Sequence, residues 1–316
     1  MDISFIIVNW NTKALLLDCL ASIKKTVHGL SYEIFVVDNG SVDGSAAAVR
    51  GTFGRDIHLI ENSANLGFAR ANNQALQQTC GRYVVLLNSD TVLRNGAIAT
   101  LIAFLDDHPD AAMAGPAMVD EHGTPQNSFD NFPTLATELL NKSLLRLLFP
   151  RRYAGKAGAA AAPFEVDSLI GACMAVRRSA IEQVGMLDED YFFFLEETDW
   201  CLRLRTAGWH IYHVPSVQIV HLQGRSKKQR PARAWVEYYR SLYLFFKKHR
   251  SPRAYIVLRI CRVVKLMVNF FLTTLGILMT AGLRRRFREK LPVYTYLLWW
   301  HCCGCPEHMG LRNIQR

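Results

Sequence analysis

Through the first two thirds of the chain, apolar residues fall in short blocks, and each block stops at a cluster of polar ones. Residues 3–8 (ISFIIV), 33–37 (EIFVV) and 57–61 (IHLIE) have strand length and β-rich composition. Residues 83–87 (YVVLL) are apolar without a break, as in a strand buried on both faces of a parallel sheet. Between these blocks the apolar positions recur at helical spacing. Leu15, Leu16, Cys19, Leu20 and Ile23 share the inner side of a helix for which Thr12 is the predicted cap. A second helix begins at Ser41 or Asp43, and a third runs from about Phe68 through Gln78. Strands alternating with helices predict an α/β fold with a doubly wound, mostly parallel, Rossmann-like sheet. Further on, residues 94–107 read as a helix and 111–114 as a short buried segment. Residues 120–164 lose periodicity, with a Leu-rich stretch at 139–149 and an Ala/Gly-rich loop at 154–163, and read as an acceptor-side insertion.

In open α/β sheets, ligands bind beyond the carboxyl ends of the strands. Here those ends are Asn9-Trp10-Asn11-Thr12, Asp38-Asn39-Gly40-Ser41, Asn65-Leu66-Gly67-Phe68 and Asn88-Ser89-Asp90. Asn9, Asp38, Asn65 and Asp90 are therefore predicted to converge. A buried carboxylate or amide can read a nucleobase edge, and Trp10 or Phe68 offers a stacking face. The 88–90 cluster can hold a divalent cation against a phosphate. Any one of these ends alone reads as a turn; four in succession favour a ligand pocket. No GxGxxG and no GxxxxGK[ST] is present, which argues against dinucleotide oxidation and P-loop phosphoryl transfer. Gly171-Ala172-Cys173 lets the chain pass close to a ligand, with Cys173 as a small core residue. Phe192, Phe193 and Phe194 precede Glu196-Glu197-Thr198-Asp199 and a helix ending near Gly208. Carboxylates in a first helical turn are favoured by the dipole. Beside an aromatic wall, Glu196 and Glu197 are also set for the raised pKa that a general base needs. His221 follows a strand, which by itself reads as structural.

The motifs VNWNT, VVDNGSVDGS, NLGFARANN and LLNSDT, in this order and spacing, resemble the amino-terminal half of family 2 glycosyltransferases, nearest the bacterial rhamnosyltransferase-like branch. The resemblance runs from about residue 2 to 250 and implies a GT-A fold and inverting sugar transfer from a nucleotide diphosphate. It places Asn9, Asn11 and Asp38 on base and ribose, and residues 65–72, among them Asn65, Gly67, Phe68 and Asn72, along the nucleotide. Asn88, Ser89 and Asp90 stand in the DxD-type metal site for Mg²⁺ or Mn²⁺, with Asn88, a neutral and weaker ligand, where the first Asp often sits. Gly171 and Ala172 fall beside the donor sugar and acceptor. Glu197 falls on the catalytic base, Glu standing for Asp, with Glu196 and Asp199 as orienting neighbours. VHLQGRS, similar to an HxxGxS element, implies His221 as a further metal ligand and Arg225 and Ser226 at the phosphates.

Charge is unevenly spread. Residues 1–224 hold 17 Lys and Arg against 24 Asp and Glu, a net of −7, whereas residues 225–316 hold 20 against 3, a net of +17. Such a tail seeks phosphates of nucleic acid or of an anionic membrane. Within it, residues 232–250 mix aromatic and basic positions at helical spacing, and residues 266–283 are uncharged for 18 residues, just enough to span a bilayer. Basic clusters on both sides (Arg259, Arg262, Lys265; Arg284, Arg285, Arg286, Arg288) oppose a single transmembrane span and favour an in-plane or re-entrant helix on the cytoplasmic leaflet. Burial in an oligomer interface is the alternative. The expected partners are thus a nucleotide diphosphate-sugar, a lipid-linked glycan acceptor and the membrane surface, with no nucleic acid. The domain expectation is a catalytic unit at 1–230, split near 115 into nucleotide-sugar and acceptor halves, and an extension at 231–316. Met1-Asp2 leads straight into a strand, so no secretory signal is expected, and the eight scattered cysteines suit a reduced cytoplasmic chain. Cys302, Cys303, Cys305 and His308 match no standard zinc spacing. A nucleotidyltransferase would want a basic Gly-rich loop after the first strand, which VNWNT lacks. A membrane-bound nucleic-acid-binding or scaffold protein would leave the paired acidic motifs unexplained.

Overall fold

The computed structural model describes residues 1–149, 162–222 and 231–312. The predicted Ala/Gly loop therefore lies mostly outside the described residues, and Arg225 and Ser226 wholly so. Four parallel strands form the first half: β1 (Ile3–Asn9), β2 (Tyr32–Asp38), β3 (His58–Glu61) and β4 (Tyr83–Asn88), in the order β3-β2-β1-β4. Helices α1 (Lys13–Thr26), α2 (Ser45–Phe53) and α3 (Phe68–Leu76) connect them. Ile3, Phe5 and Ile7 of β1 join one apolar cluster and Ile6 another, so alternate residues feed layers on the two faces of the sheet.

The second half departs from a simple parallel continuation. After β5 (Thr91–Val92) and α4 (Ala97–Asp107) comes β6 (Ala111–Val119), a nine-residue strand where the sequence predicted a short segment. Residues 120–149, predicted aperiodic, hold β7 (Phe129–Asp130), α5 (Leu135–Leu139) and α6 (Lys142–Leu148). Then follow β8 (Phe164–Glu165), β9 (Ser168–Leu169), β10 (Cys173–Arg177), α7 (Arg178–Val184), α8 (Glu196–Thr206) and β11 (His210–His221). β10 inserts antiparallel between β4 and β6, β11 runs parallel to β6, and β5 folds back antiparallel on the end of β11. As a result the carboxyl ends of β1, β2, β4, β6 and β11 and the amino end of β10 share one edge of the sheet.

Among the described residues that follow are three α-helices, α9 (Pro231–His249), α10 (Pro252–Met279) and α11 (Arg285–Cys302), and a 3-10 turn at Glu307–Met309. Their buried faces, including Tyr239, Leu242, Phe245, Phe246, Leu258, Leu266 and Trp300, form a third apolar cluster that also takes in Tyr191 of the catalytic unit. At the α10–α11 crossing a Cβ on Gly276 would lie 2.8 Å from the tip of the Phe287 ring, so a larger residue there would require the ring to move. The uncharged run does not continue as helix to residue 283. α10 closes at Met279, followed by Ala281 at φ 45° and Gly282 at φ 73°. The uncharged part left in the helix spans roughly 21 Å, short of the roughly 30 Å of a bilayer core. Among the described residues no helix is long and apolar enough to cross a membrane.

Candidate active site

At the carboxyl ends of β1 and β2 a hydrogen-bond network joins Asn9 to Asp38 and reaches the 88–90 cluster. Asn9 Nδ2 donates to Asp38 Oδ1 at 2.9 Å and to Ser41 Oγ at 3.1 Å, while Asn9 Oδ1 accepts from Thr12 Oγ1 at 2.6 Å. Thr12 lies 2.8 Å from Ser89 Oγ, which links the end of β1 to the 88–90 cluster. Thr12 therefore does not cap α1 with its side chain; Asp43 instead accepts from Lys13 N at 2.8 Å, from the neighbouring loop. Asn11 adopts φ 55°, a left-handed conformation that asparagine tolerates, and its Oδ1 accepts from Val42 N at 2.8 Å.

These contacts change several expected roles. Asn9 is fully buried, and its side chain is hydrogen-bonded to Asp38, Ser41 and Thr12. Asn72 is also turned inward, 1% exposed, with its amide donating to Phe68 O inside α3. Asp38 accepts from Asn9 and from Ser41 N at 3.1 Å and is nearly buried. Trp10, Asn65, Phe68, Asn88 and Asp90 are partly exposed along the same edge, whereas Ser89 and Ala172 are buried.

A residue outside the expected set holds the segment at residues 62–67. Asn39 is 2% exposed, donates to Asn65 Oδ1 (2.9 Å) and Gly67 O (3.2 Å), and accepts from Leu66 N (3.0 Å) and Asn62 Nδ2 (3.1 Å). In the sequence it stood in a DNG triplet that reads as an ordinary turn. Only the return of residues 62–67 past it reveals its use. Gly67, at φ 89°, packs so tightly on Phe192 that a Cβ would lie 2.6 Å from the Phe192 carbonyl oxygen.

At the 88–90 cluster, β5 pairs His221 with Thr91, and this register sets His221 Nε2 3.3 Å from Asp90 Oδ1. His221 is nearly buried, and among the described residues its Nδ1 has no hydrogen-bond partner. A carboxylate oxygen and an imidazole nitrogen at this separation fit a shared divalent cation. Asn88 ends β4 with its N–H on Ala172 O at 2.9 Å. No group of three His, Cys, Asp or Glu side chains suited to a metal occurs among the described residues, so any further ligand would be an amide, water or the substrate itself.

Ala172 also brings the acidic helix into the site. Its neighbour Gly171 lies against Glu197, whose Cγ, Cβ and Cδ stand 3.7–3.8 Å from where a Gly171 Cβ would be. Glu197 thus sits across two residues of chain from Asn88. Of the three first-turn carboxylates of α8, Glu197 alone is partly exposed; Glu196 and Asp199 are buried at 4% and 1% exposure. Asp199 does not orient Glu197 from within the cleft. Its two oxygens accept from Arg203 Nε at 2.8 Å and His249 Nε2 at 2.6 Å, pointing it toward α9. Cys173 beneath this edge is fully buried, and burial pushes its thiol up to about 12, which suits the expected core role.

Residues 4–185 match the family described as Glycosyl transferase family 2. The chain is 30% identical over 233 residues to the N-acetylglucosaminyl-diphospho-decaprenol L-rhamnosyltransferase of Mycobacterium tuberculosis, covering 69% of this chain and 75% of that protein. It is 26% identical over 171 residues to the dTDP-rhamnosyl transferase RfbF of Shigella flexneri, 53% of each chain. Among solved structures, the mannosyltransferase PcManGT from Pyrobaculum calidifontis, in complex with GDP-Man and Mn²⁺, superposes with a TM-score of 0.57 at 17% identity, covering 96% of this chain and 86% of that one.

Proposed function

The chain belongs to glycosyl transferase family 2 and has the GT-A fold, and from that premise we propose that it is an inverting enzyme moving a deoxyhexose of the rhamnose type from a nucleotide diphosphate to a lipid-linked glycan. The observation that carries this reading is the shared edge: Asp90 and His221 at 3.3 Å, with Glu197 packed on Gly171 beside the end of β4. In this reading Glu197 accepts the proton of an acceptor hydroxyl as that oxygen attacks the anomeric carbon. The bond from the anomeric carbon to the diphosphate breaks as the new glycosidic bond forms on the opposite face. A divalent cation held by Asp90 and His221, with the Asn88 amide, would supply charge neutralisation for the departing diphosphate. Asp38, supported by Asn9 and Ser41, and the Asn39-fixed loop at Asn65 would seat the nucleoside, with Trp10 or Phe68 against the base.

The proposal includes a peripheral position on the cytoplasmic membrane face. Along α10 an apolar stripe is open to solvent, with Ile260, Phe271, Leu272 and Leu278 between 58% and 72% exposed. The exposed Arg284, Arg285, Arg286 and Arg288 follow it, a pairing that suits an in-plane helix against anionic headgroups. It would hold the site near an acceptor that cannot leave the bilayer.

The test is transfer from dTDP-L-rhamnose, beside a panel of other nucleotide sugars, to an N-acetylglucosaminyl-diphospho-polyprenol with Mg²⁺ or Mn²⁺. Glu197→Gln and Asp90→Ala are each expected to cut turnover at least about 100-fold. Wild-type rates in either variant overturn the assignment.

A further inference from the structure

The segment that delivers Glu197 is gripped from outside the catalytic unit. Phe68 N donates to Phe192 O at 2.7 Å, tying its start to the nucleotide side. One residue on, Phe193 O accepts from Ser241 Oγ of α9 at 2.8 Å. Phe194 and Leu195 then adopt φ 71° and 65°, a left-handed conformation that bulky side chains avoid. Two such residues in succession persist only where the surroundings over-determine them. Beyond Glu197, Asp199 is held by His249 Nε2, again from α9, at 2.6 Å. Adjacent residues secure that end of the helix: Lys248 pairs with Asp188 and Asp190, and Arg250 Nε donates to Pro133 O at 3.0 Å. Ser241 and His249 lie roughly 12 Å apart along α9 and bracket Glu197, one acting four residues before it and the other two residues after.

We propose that α9 is a positioning helix for the base, with Ser241 and His249 as its positioning residues, so that the basic extension is a working part of the catalytic unit as well as its surface anchor. This rests on the assignment of Glu197 given above. Without the grip, Phe194 and Leu195 are free to relax toward right-handed backbone, and the first turn of α8 moves with them. The nucleotide side is held by the Asn39 network, to which, among the described residues, α9 contributes no hydrogen bond. Losing the grip should therefore lower kcat while sparing donor affinity, since a shift of about 1 Å at a reacting group costs up to about 100-fold.

The experiment uses the full chain with Ser241→Ala, His249→Leu and the conservative His249→Gln, which keeps an N–H donor. With dTDP-L-rhamnose, His249→Leu is expected to lose at least about 10-fold in kcat with donor KM within about 2-fold, and His249→Gln to recover most of the loss. Hydrogen exchange at amides 192–199 is read in parallel and should quicken in Ser241→Ala and His249→Leu, while residues 83–88 stay protected. Unchanged exchange at 192–199 in both variants, or kcat and donor KM failing together in His249→Leu without recovery in His249→Gln, overturns the proposal. Because exchange needs no turnover, a wild-type chain inactive on this donor counts against the substrate reading alone.

Discussion

Asn39→Asp is nearly isosteric, yet it should be among the most damaging single changes on the nucleotide side. Leu66 N–H can only donate, so the Asn39 oxygen faces Leu66 and Asn62 and its NH₂ faces Asn65 Oδ1 and Gly67 O. A carboxylate keeps the first two contacts and sets oxygen against oxygen at the other two. Two hydrogen bonds of about 1 kcal/mol each are lost, although Asn65 Oδ1 keeps the Gly67 N–H at 2.9 Å and Gly67 O keeps the Ala71 N–H at 3.3 Å. At 2% exposure the new charge also gives up hydration. The expected loss is roughly 3–5 kcal/mol, a large part of a total stability of about 5–15 kcal/mol. Asn39→Ala gives up all four hydrogen bonds but adds neither a buried charge nor opposed oxygens, so at about 0.5–1 kcal/mol per bond it should lose less, about 2–4 kcal/mol. Urea unfolding at pH 7.5 should rank wild type above Ala and Ala above Asp. The gap between the two variants should narrow in acid, where a protonated Asp regains one donor. Calorimetry with dTDP should show weakened binding in both variants, because the loop at Asn65 borders the nucleotide. A stability for Asn39→Asp within about 1 kcal/mol of wild type at pH 7.5, or above that of Asn39→Ala, would show that this network does not hold the pocket wall.

His213 is buried against the rings of Phe129 and Phe164, and burial lowers its pKa from 6.5 to about 4. Between these values the unfolded chain takes up a proton that the folded chain refuses. Its contribution is therefore complete above pH 6.5 and falls away toward pH 4, by roughly 3 kcal/mol. His213→Phe should flatten that part of the urea-midpoint profile, and an unchanged slope would assign the acid sensitivity elsewhere. On the tail, replacing Ile260, Val264 and Phe271 together with Glu should abolish co-sedimentation with phosphatidylglycerol vesicles, while salt alone should only weaken it. Vesicle binding that survives the triple change would rule out the α10 stripe as the contact.

How much of the site was legible depended on whether a residue's task was local. Asp90 and Glu197 stood out because each lies in a stretch that carries the family resemblance, although a strand end alone also reads as a turn and a first-turn carboxylate as a dipole partner. The partners of Asn9, Thr12 and Asp199 were not legible, for the opposite reason. Each is polar and next to a site residue in sequence, but each side chain is taken up by a partner from another element: Asp38, Ser89 and His249 respectively. Spacing along one segment carries no information about which distant hydroxyl or imidazole will be its neighbour. Asn39 was passed over because a turn-forming triplet explains itself without any long-range partner.

The sequence by itself determined the alternation of strand and helix in the first half, the polar character of the strand ends, and the acid–base split between catalytic unit and tail. These follow from side-chain periodicity, solvation and net charge, which are properties of the chain at short range. Only the tertiary structure decided that β10 runs antiparallel between β4 and β6, which sets Gly171 and Glu197 beside the 88–90 cluster. It likewise decided that α9 packs against the loop before α8 and ends the uncharged run of α10 at Met279. Such choices depend on which apolar faces fit together and which buried polar groups find partners, and those terms exist only once segments distant in the chain have met.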